Sequence, residues 1–262
     1  MARDPAQEAT RPSTLPRPGR RPPWEPEKWS EDSAAGDEKP NKGAPAQRRP
    51  RRRPLPDEIG HEISQSVSSS SVARVRKRMT EAMESYQRDR LPEAVRILRP
   101  LAQMAPESAA VRELTGLALY RMGCWAEAVK HLEAFRELSG SVEQHPVLAD
   151  CYRAIGRPAK VDELWDELRA ASPGPALVAE GRIVAAGALA DRGDVKAAIR
   201  LLERGPVAAK QAPANHHLRL WYALADLCER AGDTPRARQL FARVVAAEAD
   251  LADAAERLQA LG

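Results

Sequence analysis

The chain has 262 residues, 43% of them hydrophobic, but only two Phe and four Tyr, so Leu, Ala and Val must supply its core and a helical fold of one or two domains is expected. Lys plus Arg is 41 against 37 for Asp plus Glu, and the resulting net charge of +4 is too small to argue for nucleic acid by itself. Cys124, Cys151 and Cys228 have no close spacing, which excludes a disulfide framework and suits reduced thiols.

Taken in chain order, Met1 to Gly60 holds thirteen basic residues, ten acidic residues and twelve of the 22 prolines. Too few apolar groups remain there to offset the entropy of ordering, and the serine tract from Ser64 to Ser71 has the composition of a linker. Residues 1–71 are therefore expected to be a disordered Arg/Pro/Ser-rich tail, and residues 72–262, with 28 basic and 27 acidic residues beyond Gly60, the folded part. Two tail features stand out. Arg48, Arg49, Arg51, Arg52 and Arg53 fall within RRPRRRP, a charge density that can contact several phosphates. RPPWEPEKW places Trp24 and Trp29 among prolines, the composition of a short docking motif.

From Val75 onward, Met79, Met83 and Tyr86 follow at helical spacing. A repeat then becomes visible. YQRDRLPEAVRILRPL, YRMGCWAEAVKHLEAF and YRAIGRPAKVDELWDEL align so that Ala94, Ala128 and Val161 are 34 and 33 residues apart. Two weaker copies put Ala198 and Ala237 at the same place, with the extra residues falling in loops. Each copy reads as helix, turn, helix. Gly123, Gly156, Gly193 and Gly232 mark the turns, where a positive φ closes the first helix, and Asp89 stands there in the first copy. LADAAERLQALG is a closing amphipathic segment.

These units resemble the tetratricopeptide repeat (TPR) superfamily over about Val75 to Gly262. Trp221, Leu224, Ala225, Gly232, Ala237 and Phe241 follow the family's order in the fifth unit, and Gly116, Gly123, Trp125, Ala128, Leu132 and Phe135 in the second. The fourth unit keeps only Ala186, Gly193, Ala198 and Leu202. The chain is also similar to TPR proteins of unassigned activity in high-GC bacteria, in line with 33 Arg against 8 Lys. The resemblance implies an all-α, right-handed α-solenoid of about five helix-turn-helix units plus a C-terminal capping helix, with a protein partner held in a concave groove. Small residues at Ala94, Ala128, Ala198 and Ala237 let helices approach, and Leu98, Leu132, Trp165, Leu202 and Phe241 fill the space between units.

Counting off the first helix of each unit gives the expected groove residues: Met79, Met83 and Tyr86; Glu113, Leu117, Tyr120 and Arg121; Asp150 and Arg153; Tyr222, Asp226 and Arg230. Tyr and Arg are favoured interface residues and Met adapts to irregular partners, while Met79 and Met83 serve equally well as packing residues. The Lys and Asn clamp by which one TPR subclass grips a C-terminal carboxylate is replaced here by Met79, Met83, Leu114, Glu143 and Val147, none of which can donate as that clamp requires.

No nucleotide-binding, dinucleotide-binding or zinc-protease motif occurs. His145 and Cys151 lack a same-face spacing, and adjacent His216 and His217 point apart on a helix. The expectation is a non-enzymatic scaffold or adaptor with no cofactor or metal. It is expected to be cytoplasmic, because MARDPAQEAT lacks an apolar signal core and no apolar run approaches the ~20 residues that span a bilayer. The alternative is a nucleic-acid- or ribosome-associated adaptor that uses Arg48 to Arg53.

Overall fold

The computed structural model describes residues 55–205 and 213–262. The arginine tract and the two tail tryptophans lie outside the described residues. Every element described is a helix, as a TPR-like α-solenoid requires, and no helix among them is long and apolar enough to cross a membrane. The chain divides between Ile155 and Gly156 into two compact units.

The N-terminal unit contains α1 (Asp57–Ser66), α2 (Ser69–Gln87), α3 (Leu91–Met104), α4 (Ala109–Arg121), α5 (Trp125–Ser139) and α6 (His145–Ala154). Pairs α2/α3 and α4/α5 are the first two repeats, and each helix packs on the next. The turn between α4 and α5 contains Gly123 at φ +74°. In the first repeat Asp89 adopts φ +59°, so an acidic residue occupies the left-handed position that glycine fills elsewhere. Its side chain has a use there. Asp89 accepts from Arg121 at 2.7 Å and so joins the first turn to the second repeat.

The core follows the 3.6-residue period. Ala94 and Ala128 are fully buried, as are Leu98 and Leu132. Gly116 on α4 marks the closest approach: a Cβ there would lie 2.6 Å from Leu132 Cγ, so α4 and α5 meet at a distance only glycine permits.

The C-terminal unit contains α7 (Pro158–Ala171), α8 (Pro175–Asp191), α9 (Val195–Glu203), α10 (Asn215–Arg230), α11 (Thr234–Ala247) and α12 (Ala254–Ala260). Pairs α8/α9 and α10/α11 are the fourth and fifth repeats, α8 also packs on α10, and α12 lies on α11. The weak fourth repeat is thus a regular helical pair. Phe241 is fully buried in one apolar cluster with Trp221, Leu224, Ala237 and Leu202, and the guanidinium of Arg257 from α12 sits 4.7 Å from its ring centre. Trp165 departs from expectation. It is half-buried, with Arg182 5.3 Å from its ring, while Leu164 and Leu168 take the interior places on α7.

The expected start of order at residues 71–72 also needs correction. Helix α1 begins at Asp57, and the serine tract is mostly helical, broken only at Val67 and Ser68. Pro56 precedes Asp57 and Glu58, two acidic residues in the first turn that favour a helix start.

Candidate partner-binding face

Helices α2, α4 and α6, and likewise α8 and α10, are the first helices of their repeats, and the expected groove residues lie on them. Most of those residues are inside. Met79, Tyr86 and Leu117 are fully buried and Met83 nearly so, which makes them core rather than contact surface. Glu113, Arg121, Asp150 and Asp226 are buried too. Only Tyr120, Arg153 and Tyr222 are half-buried, and Arg230 lies 4.0 Å from Asp226. Spacing had placed these residues on one face without showing that a neighbouring helix covers it.

The buried polar members form bridges between elements about thirty residues apart. In the N-terminal unit Gln144 donates to Glu113 at 3.0 Å, and the Tyr120 hydroxyl donates to Asp150 at 2.9 Å. Arg153 reaches the other Asp150 oxygen at 3.3 Å, while Arg121 spans the Tyr86 ring at 4.9 Å and Asp89. In the C-terminal unit Arg219 grips Glu180 through both carboxylate oxygens, Arg257 donates to Asp226 at 2.9 Å, and Tyr222 donates to Asp253. Most of these bonds join one first helix to the next repeat or to the cap. They hold register within the stack.

Burial shifts the titration of several groups in this network. It raises the Glu180 and Asp226 carboxyls above the usual range, against the opposing pull of Arg219 and Arg257 respectively. Burial, helped by the bond to Asp253, pushes the Tyr222 hydroxyl up to about 12. Burial also pushes the Cys151 thiol up, so it stays protonated and is a poor nucleophile. His217 Nδ1 accepts from the Ala214 backbone N–H at 3.1 Å, a polar helix start for α10. Among the described residues no His, Cys, Asp and Glu group has the arrangement to hold a metal.

A concavity of about 400 Å³ lies between α3, α4 and α5, next to Arg99, Arg112, Glu127 and His131. Arg99 and Glu127, both on its lining, form a two-bond ion pair at 2.8 and 2.7 Å. Burial, then the Arg112 charge, lowers the His131 imidazole.

The element that the repeat pattern missed is α1. It packs across α2 and α4, the first helices of two successive repeats. Ile63 is fully buried and Ile59 nearly so, four residues apart on one face. Glu62 Oε1 accepts from the Ala109 backbone N–H at 2.7 Å, and its Oε2 accepts from Ser108 Oγ at 2.8 Å, so a carboxylate sits on the N-terminus of α4. From α2, Arg76 Nε donates to the Gly60 carbonyl at 3.0 Å and its Nη2 donates to Ser64 Oγ at 2.9 Å. The signal was present in the sequence: an acidic first turn after proline, then isoleucines four apart.

Comparison with known proteins bears on the helical-repeat fold. Residues 189–261 match the tetratricopeptide repeat family. That match spans the last residues of α8, then α9, the fifth repeat and α12. The fold is also similar to the crystal structure of TTC0263, a thermophilic TPR protein in Thermus thermophilus, with a TM-score of 0.54 over 71% of this chain and 98% of that one. At 14% identity that likeness concerns the TPR fold alone. No curated protein matches the chain.

Proposed function

We propose that this chain is a non-catalytic interaction module, a scaffold or adaptor that holds a helical or extended segment of a partner protein on the first-helix face of its repeats. One observation supports the reading above others: α2 and α4 together carry a short amphipathic helix, seated by two isoleucines and three polar side chains. A TPR face that accepts such a helix uses the familiar helix-in-groove mode, with apolar residues four apart giving affinity and polar contacts giving register.

The test is site-specific photo-crosslinking in native lysate. A photoreactive residue replaces Thr80 on α2 or Tyr120 on α4, and controls replace Arg96 on α3 or Lys130 on α5, on the second helices. The proposal predicts protein adducts from Thr80 and Tyr120 that survive nuclease, and few from the controls. Equal adducts from both faces contradict it. So do adducts that nuclease removes and that vanish when Arg48 to Arg53 are neutralised, since those belong to a nucleic-acid adaptor.

A further inference from the structure

The seat of α1 is more specific than a generic apolar groove. Three groups on the receiving helices are committed to it: the Ala109 N–H, the Ser108 hydroxyl and the Arg76 guanidinium. Ser108 is itself fully buried, and its oxygen also accepts from the Val111 N–H at 3.3 Å, so the start of α4 and the site for Glu62 are one construction. Gly60 lies under Arg76, where an added Cβ would stand 3.2 Å from Nη2. The seat therefore reads aliphatic, small, any, glutamate, aliphatic.

The occupant is held to the unit by little else. It touches α2 and α4, its outward residues Asp57, Glu58, His61 and Gln65 are exposed, and Val67 and Ser68 form the non-helical link to α2. A ten-residue helix with two buried isoleucines gains little from local propensity, so its order comes from the seat. Because the link precedes α2 rather than interrupting a repeat, α1 can leave while both helical pairs stay packed.

We propose that the α2/α4 seat is the partner site and that α1 is its resident occupant in cis. The incoming ligand is an amphipathic helix with aliphatic residues four apart, a small residue after the first and a glutamate before the second. This rests on the interaction-module reading and adds a partner class and a control: a partner binds by displacing α1. If α1 is seated nine-tenths of the time, the apparent affinity for such a helix falls about tenfold.

A labelled peptide of residues 55–68 serves as the probe, titrated by fluorescence anisotropy against the full chain and against an Ile59→Asp/Ile63→Asp double variant whose own α1 cannot seat. The double variant is expected to bind at least about tenfold more tightly than wild type. Glu62→Gln in the peptide weakens binding, and Ile63→Asp in the peptide abolishes it. Hydrogen exchange on the unmodified chain gives an independent readout, in which α1 amides exchange faster than those of α2 and α4, and excess peptide speeds them further. The proposal is overturned if the peptide binds neither folded protein, binds both equally, or if α1 exchanges only with global unfolding. In those cases face-specific photo-crosslinks from Thr80 and Tyr120 would still leave the interaction-module reading intact.

Discussion

Truncating the buried isoleucines of α1 separates a detachable helix from an integral one. At an integral core position, removing a buried Leu or Ile side chain to Ala costs about 2–5 kcal/mol, because the structure relaxes only partly around the cavity. Leu98 of α3 is fully buried and serves as the reference. Ile63 is equally buried, but its helix has another option: once the cost of the cavity exceeds the free energy of seating, α1 leaves. The loss then stops growing. Ile63→Ala and Ile59→Ala/Ile63→Ala are therefore expected to reach the same plateau, below the cost of Leu98→Ala, whereas independent core sites would add. With a urea slope of about 2 kcal/mol/M, Leu98→Ala lowers the midpoint by about 1–2.5 M. The assay is urea unfolding followed by circular dichroism at 222 nm for the four proteins. An additive double variant, falling as far as Leu98→Ala or further, would refute the detachable helix.

Three further outcomes follow from the packing. Gly116→Ala forces a Cβ to within 2.6 Å of Leu132 Cγ, and overpacking of about 1–3 kcal/mol outweighs the gain in helix propensity, so the melting temperature falls by several degrees in calorimetry. Phe241→Ala removes a fully buried ring together with the contacts to Arg257 and Tyr222, which costs about 3–5 kcal/mol and lowers the unfolding midpoint reported by fluorescence of the buried Trp221. His131 is held below its ordinary value in the folded chain, so the unfolded state takes up the proton first and stability falls as pH drops below about 6.5. His131→Asn should lose less stability than wild type between pH 7.5 and 5.5 in parallel urea titrations.

Much of the fold was legible because the stacked helical pairs repeat their steric requirements. The turn glycines are left-handed as expected, and even the exception at Asp89 keeps the positive φ. The four alanines that bring helices together are all fully buried. What spacing does not carry is the identity of the covering element. Met79, Tyr86 and Leu117 are correctly on the first helices, yet they are packed within the stack, and Asp150 and Asp226 are paired with Tyr120 and Arg257 across elements that no local pattern connects. Trp165 shows the reverse error, since a large apolar residue at an interior-looking place is half-exposed beside Arg182. Helix α1 was hidden by its company, because Pro54, Pro56 and the serines gave a linker's composition to a segment whose meaning lies in Ile59, Glu62 and Ile63.

Whether the first helices of the first two repeats seat a short amphipathic helix can be read from isoleucine-methyl NMR of the full chain. The Ile63 methyls are expected to show nuclear Overhauser contacts to residues of both α2 and α4, and these contacts are expected to weaken when the 55–68 peptide is added. Random-coil shifts for Ile59 and Ile63, with no contact to either helix, would contradict it.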